Sequence, residues 1–145
     1  GFARSYRRGR RGPETDKKSG TVDPESNHEW RKRVKYHWYQ VRLLQEIWLP
    51  VLSARAEETH HLSRLLGSEH DLVVLHAAAE NESDPPVDAD RMSLLERLIS
   101  SKRRDLMSQA LPLGERVYAE KPSDLVARLS VYWEAHCREY RKSND

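Results

Sequence analysis

The sequence has almost no cysteine and no long apolar run, and both shortages restrict the fold. It has one cysteine, Cys137, which excludes an internal disulfide. Helix-forming neighbours predict that this thiol is buried or half-buried rather than a nucleophile. No run approaches the roughly 18–20 consecutive apolar residues of a membrane span. The arginine-rich start is followed by no apolar segment of the kind found in secretory signals. We therefore expect a cytoplasmic protein in a reducing setting, with no membrane partner.

Helix breakers are scarce as well, with six glycines and seven prolines among 145 residues. No segment alternates polar and apolar residues over the length of a strand, whereas several repeat with the period of a helix. The sequence therefore predicts an all-α fold of the antiparallel four-helix-bundle type. The predicted helices cover residues 2–11, 24–48, 52–66, 68–79, 90–110, 113–119 and 123–140. Their predicted boundaries include a cap at Asp23 or Asn27, a break at Pro50, a stop at Gly67 and a cap at Ser123.

Charge is unevenly distributed along the chain. The net charge is only +2, but residues 1–42 contain 12 Lys and Arg against 5 Asp and Glu, a balance of +7. The remaining residues contain 13 against 18, a balance of −5. A basic first third on an acidic remainder predicts a localised site for an anion rather than general adhesion to polyanions.

The most informative segment is the helix that begins near His28. On a helical wheel one arc holds six residues that we call the basic stripe: His28, Arg31, Lys32, Lys35, Tyr39 and Arg42. The opposite arc carries the apolar residues of a bundle core: Trp30, Val34, Trp38, Val41 and Trp48. No acidic residue lies between Trp30 and Gln45 to offset the repulsion among the cations. A solvated surface is the alternative interpretation, but an anion spanning several turns explains the single sign of charge better.

Other basic residues extend this hypothesis. Arg4, Arg7, Arg8 and Arg11 repeat at helical spacing in the preceding helix, and we expect the two basic faces to line two walls of a groove. Lys121, at a predicted helix junction, is a weaker candidate, because it is also placed to meet helix C-terminal carbonyls. The run Lys102, Arg103 and Arg104 is expected to be a surface patch or a rim contact.

Histidines suggest a different chemistry. His60-His61, His70-Asp71 and His76 are residue types found in metal-dependent HD phosphohydrolases, which need several ligands converging on one metal. Asp71 falls in the first turn of a predicted helix, where a capping or packing role accounts for it. We expect His60, His61 and His76 to be surface or core residues, and we expect no metal, no cofactor and no catalytic residue. The tryptophans are expected in the core rather than at a cofactor.

The segment HEWRKRVKYHWYQVRLL, residues 28–44, resembles the signature helix of the CHAD domain, the conserved histidine α-helical domain. Further segments resemble the same family in order along the chain: YRRGRR (6–11), LLGSEHDLVVL (65–75), LGERVYAEKP (113–122) and YWEAH (132–136). A complete CHAD domain is about twice as long and consists of two helical bundles around a basic channel. The resemblance therefore assigns 1–12 to the end of a helix from a preceding half, 13–25 to a loop and 26–145 to the C-terminal bundle.

The resemblance implies binding of inorganic polyphosphate, without catalysis, by an accessory or targeting module found at polyphosphate granules. Matched by position, the leading contacts are His28, Arg31, Lys32, Lys35 and Arg42, followed by the four arginines of the first helix. The resemblance is compatible with three expectations for this chain alone: that it binds polyphosphate weakly, that it forms a homodimer, or that it needs the missing N-terminal half. Nucleic-acid binding is the alternative, since any phosphate backbone suits a basic stripe. Only Tyr39 on that face, however, offers a surface on which a base could stack.

Overall fold

The computed structural model describes residues 1–81 and 84–144, and within these residues the chain forms five α-helices. They are α1 (Phe2–Gly9), α2 (Pro24–Leu44), α3 (Leu49–Asn81), α4 (Ala89–Val117) and α5 (Pro122–Asn144), with a 3₁₀ turn at Gln45–Ile47. The predicted all-α class is confirmed. Glu82 and Ser83 of the loop predicted over 81–90, and Asp145 of the predicted bundle, lie outside the described residues.

Helix α2 begins where the sequence predicted. The Oδ2 atom of Asp23 accepts a hydrogen bond from the backbone N–H of Ser26 at 2.7 Å, and Pro24 occupies the first turn. Asn27, the alternative cap, lies inside the helix and is buried. The end of α2 comes at Leu44, before the predicted end at 48. Pro50 is the second residue of α3, where its missing N–H costs no hydrogen bond.

Helix α3 is continuous for 33 residues, so the predicted stop at Gly67 and the division into two helices are wrong. A glycine inside a helix costs only about 1 kcal/mol relative to alanine, and buried neighbours on both sides, Leu62 and Leu66 before it and Glu69 after it, hold the helix together. Asp71 is therefore exposed in the middle of a helix, and the capping role predicted for it is wrong.

Helix α4 is also longer than predicted, because it continues through Pro112 to Val117. A proline in a helix interior costs roughly 3 kcal/mol. Ala110, Leu113 and Val117 are buried on either side of it, and their burial keeps the helix packed against the core.

Ser123 is the second residue of α5 rather than its cap, since the carbonyl of Lys121 accepts the first backbone hydrogen bonds of that helix.

The core combines side chains from all five helices. It is formed by Tyr6, Trp30, Val34, Leu62, Leu66, Met107, Ala110, Leu113, Val117, Tyr118 and Leu125. Helix α3 packs antiparallel against both α2 and α4, and it is therefore the central element. Helix α1 packs on α2 and α5. This arrangement fixes which face of α2 points outwards.

Two of the tryptophans predicted for the core, Trp48 and Trp133, are exposed instead, whereas Trp38 is half-buried between α2 and α3. The thiol of Cys137 is half-buried and free, as predicted. In the described part of the chain, no helix combines the length and the apolar character that a membrane crossing needs.

Candidate anion-binding site

The basic stripe lies on the outer face of α2. Trp30, Val34 and Val41 on the opposite side of the helix are at most 2% exposed, and their burial sets the rotation of α2. As a result Lys32, Lys35, Tyr39 and Arg42 are exposed, and His28 and Arg31 are half-buried. One continuous helix of 21 residues holds all six side chains at fixed spacing.

Helix α3 borders this stripe along its length. The ring of His28 stacks on His70, with centroids 4.4 Å apart, and the ring of Trp38 stacks on His60 at 4.2 Å. Between these contacts, a Cβ atom added at Gly67 would lie 3.8 Å from Nε of Arg31. We call this boundary, from the His28–His70 contact to the Trp38–His60 contact, the α2/α3 seam.

Sequence reasoning missed the contribution of α3 to this region. Arg64 is exposed and lies one helical turn from both His60 and Gly67, so it shares their face of α3. The predicted helix break at Gly67 separated His60 and Arg64 from His70 and concealed their common register. The seam therefore holds basic or titratable side chains from two helices.

Three cations of the stripe have no acidic partner. Lys32 forms an ion pair with Glu29. In contrast, Arg31, Lys35 and Arg42 form no ion pair with any carboxylate in residues 1–81 or 84–144.

Lys35 and Arg42 lie over aromatic rings. The ammonium of Lys35 lies 6.0 Å from the Tyr39 ring centroid, and the guanidinium of Arg42 lies 5.2 Å from that of Trp38. These contacts orient the cations without neutralising them.

His28 is the half-buried end of the stripe. Its Nδ1 atom is buried and has no hydrogen-bond partner among the described residues. Burial lowers the pKa of His28 below its ordinary value, and His70, Lys32 and Arg31 lower it further, whereas Glu29 acts in the opposite direction. The imidazole is consequently neutral near pH 7 in the free protein.

A buried polar network holds the His28–His70 contact in place. The carboxylate of Glu69, only 2% exposed, accepts a hydrogen bond from Asn27 Nδ2 at 2.6 Å and pairs with Arg103 at 2.7 Å. Asn27 precedes His28 and Glu69 precedes His70, so the network fixes both backbones next to the rings. Arg103 is thus half-buried in an ion pair with an interior carboxylate, and the surface or rim role predicted for the run 102–104 stays a prediction.

The basic residues of the N-terminal segment lie elsewhere. They are all exposed: Arg4, Arg7 and Arg8 of α1, and Arg11, which follows the end of α1 at Gly9. Helix α1 packs on α2 through a hydrogen bond from Trp30 Nε1 to the carbonyl of Gly9 at 2.8 Å, and through contacts of His37 with Phe2 and Tyr6. Trp30 and His37 lie across α2 from the basic stripe.

The structure therefore does not bring the two basic faces into one groove. Lys121 is exposed at the junction of α4 and α5, on neither side of the seam, and Lys102 and Arg104 are exposed on α4.

The histidines proposed as metal ligands do not converge. His60 and His70 stack on α2, while His61 and Asp71 are exposed. Over the described ranges, the one group of metal-binding residue types that comes close together is His76, Glu80 and Glu96. There Nδ1 of His76 faces Glu80 at 3.8 Å and Nε2 faces Glu96 at 3.5 Å, an arrangement typical of an ion pair between α3 and α4.

Comparison with known proteins identifies the family of this region. A family model described as the CHAD domain matches residues 1–80, more than half of the 145-residue chain. The match includes α1, α2, nearly all of α3 and therefore every residue of the seam. The resemblances noted at 113–122 and 132–136 lie beyond the match and stay predictions. No curated protein and no solved structure matches the chain.

Proposed function

Because the chain belongs to the CHAD domain family, we propose that the basic stripe and the α2/α3 seam bind inorganic polyphosphate, the ligand that this family resemblance implies. One observation carries the proposal: Arg31, Lys35 and Arg42 follow one another along the outer face of α2, and none of them has a carboxylate partner among the described residues. A charged surface that served only solubility would interleave acids with these bases. A polyanion supplies the negative charge that the described part of the chain does not place beside these three cations.

The length of the stripe determines the kind of anion that suits it. Arg31 and Arg42 are 11 residues apart, which corresponds to about 16 Å along a helix. A single phosphate contacts only one end of such a stripe, whereas a linear chain of phosphates reaches all three unpaired cations at once. We therefore expect affinity to rise with the number of phosphates in the chain.

The chemistry of the seam favours binding over turnover. Arginine donates hydrogen bonds in a fork that fits phosphate oxygens, and lysine adds a mobile point charge. These groups hold a phosphate chain by many weak contacts, each weakened by salt. We propose a non-catalytic module that attaches a larger assembly to polyphosphate, with no cofactor and with attachment at polyphosphate granules.

A competition assay tests the ligand. Labelled long-chain polyphosphate is bound to the protein and displaced by unlabelled polyphosphate or by single-stranded DNA or RNA of equal total charge. We expect unlabelled polyphosphate to displace the label at a lower concentration than either nucleic acid. Nucleic acid acting as the stronger competitor would replace the proposal with its alternative, a nucleic-acid-binding helical domain.

A further inference from the structure

Two imidazole rings, those of His28 and His70, are stacked at one end of the seam, and histidine is the residue type that most readily gains a proton near neutral pH. They come from different helices, 4.4 Å apart and inclined by 29°. The Asn27–Glu69–Arg103 network below them holds both helices in register. The pair is therefore a fixed feature of the α2/α3 contact.

The surroundings of the pair are predominantly positive. His28 is faced by His70 from α3 and by Glu29, Arg31 and Lys32 from its own helix, and Glu29 is already paired with Lys32. The one carboxylate of the network, Glu69, is occupied by Asn27 and Arg103. Among the described residues, no carboxylate forms an ion pair with either imidazole of the pair. Among the described residues, the buried Nδ1 of His28 also has no acceptor to which its N–H could donate a hydrogen bond after protonation.

A bound phosphate chain changes this balance. Its oxygens place negative charge next to Arg31 and Lys32, within a turn of His28, and they accept hydrogen bonds from a protonated imidazole. We propose that polyanion binding at the seam is coupled to proton uptake by the His28–His70 pair, with His70 acting as a further binding residue on α3. This inference rests on the proposed function and adds a pH dependence to it.

The sign of the effect follows from linkage. If the complex binds more protons than the free protein, affinity increases as pH falls. For one proton the increase is at most tenfold per pH unit. The increase occurs between the pKa of His28 in the complex and its lowered pKa in the free protein, and it levels off below the latter. Arginine and lysine stay charged throughout this range and contribute no such dependence.

The test compares wild type with His70→Gln and with His28→Gln/His70→Gln, which keep polar side chains but cannot take up a proton near neutral pH. Dissociation constants for one polyphosphate length are measured at constant ionic strength from pH 8.0 to pH 5.5. His61→Gln, on the same helix but exposed away from the pair, is the matched control. Because all variants share the ligand, titration of its terminal phosphates affects them equally.

We expect wild type and His61→Gln to bind about tenfold more tightly at the lower pH, and the double variant to change about threefold or less. In calorimetry with buffers of different ionisation enthalpy, we expect net proton uptake on binding for wild type and none for the double variant. A double variant with the wild-type pH dependence, or a wild type insensitive to pH, overturns the inference while leaving polyphosphate binding intact. Absence of binding at every pH overturns the proposed function as well.

Discussion

The replacement Arg31→Ala/Lys35→Ala is expected to separate the loss of binding from any loss of folding. Neither side chain forms an ion pair among the described residues, and both lie outside the hydrophobic core. Alanine is also the best helix former, and its introduction removes repulsion worth roughly 0.2–0.5 kcal/mol between cations one turn apart. We therefore expect the double variant to have unchanged helicity and a free energy of unfolding equal to or slightly above that of wild type.

The expected loss of binding follows from the exposure of the two side chains. A hydrogen bond from half-buried Arg31 to a charged phosphate oxygen is worth about 1.5–3 kcal/mol. A contact of exposed Lys35 is worth about 0.2–1 kcal/mol. Together they amount to roughly 2–4 kcal/mol, a weakening of about 30-fold to several hundred-fold.

The assay is polyphosphate binding measured at several salt concentrations, with circular dichroism and urea unfolding on the same samples. By analogy with single-stranded nucleic acids, losing two phosphate contacts should reduce the slope of log affinity against log salt by about 1.4. Lys102→Ala/Arg104→Ala is the matched control, because it removes two exposed charges from α4, away from the seam. Retention of binding within threefold of wild type, or an equal loss in the control, would refute the assignment of the stripe.

Two further predictions concern the fold. Gly114→Ala should destabilise the protein by about 1–3 kcal/mol in urea unfolding, because its Cβ would lie 2.6 Å from a ring atom of Trp30. The same change at Gly67, where the nearest contact is 3.8 Å, should be neutral or stabilising by up to about 1 kcal/mol. Equal effects at the two glycines would contradict the packing. His37 is fully buried and has no hydrogen-bond partner within the described ranges, and burial lowers its pKa to about 3. The unfolded chain therefore binds more protons, so wild type should lose up to about 1.4 kcal/mol per pH unit as pH falls below 6.5. His37→Leu should show a shallower decline, and an unchanged slope would contradict a neutral buried imidazole.

The features that were predictable from the sequence depend on local periodicity. The buried and exposed arcs of α2 follow from residue spacing alone, because a helix presents every third or fourth residue on one face. The cap at Asp23 is local in the same way, since it needs only a carboxylate and two backbone groups. The family resemblance of residues 28–44 added the expected ligand, and the family match over residues 1–80 confirms the membership.

The features that sequence reasoning missed depend on tertiary packing. Pro112 weakens a helix locally, yet α4 continues because residues on both sides of it are buried. Glu69 and His37 are polar residues in the interior, and their partners come from helices far away in sequence. Helical periodicity alone contains no information about those partners.

The continuity of α3 through Gly67 links the errors about the fold to those about the site. A helix that ended at Gly67 would place His60 and His70 on separate elements, with no fixed register between the two ring contacts that define the seam. A single helix instead carries both histidines and Arg64 along α2, with the glycine opposite Arg31. A Cβ atom at position 67 would lie 3.8 Å from Nε of Arg31, so the approach of α3 to Arg31 follows from the register of the two helices rather than from the missing side chain. The candidate site is therefore a property of two helices, and its α3 side depends on a helix that continues through a glycine because buried residues flank that glycine.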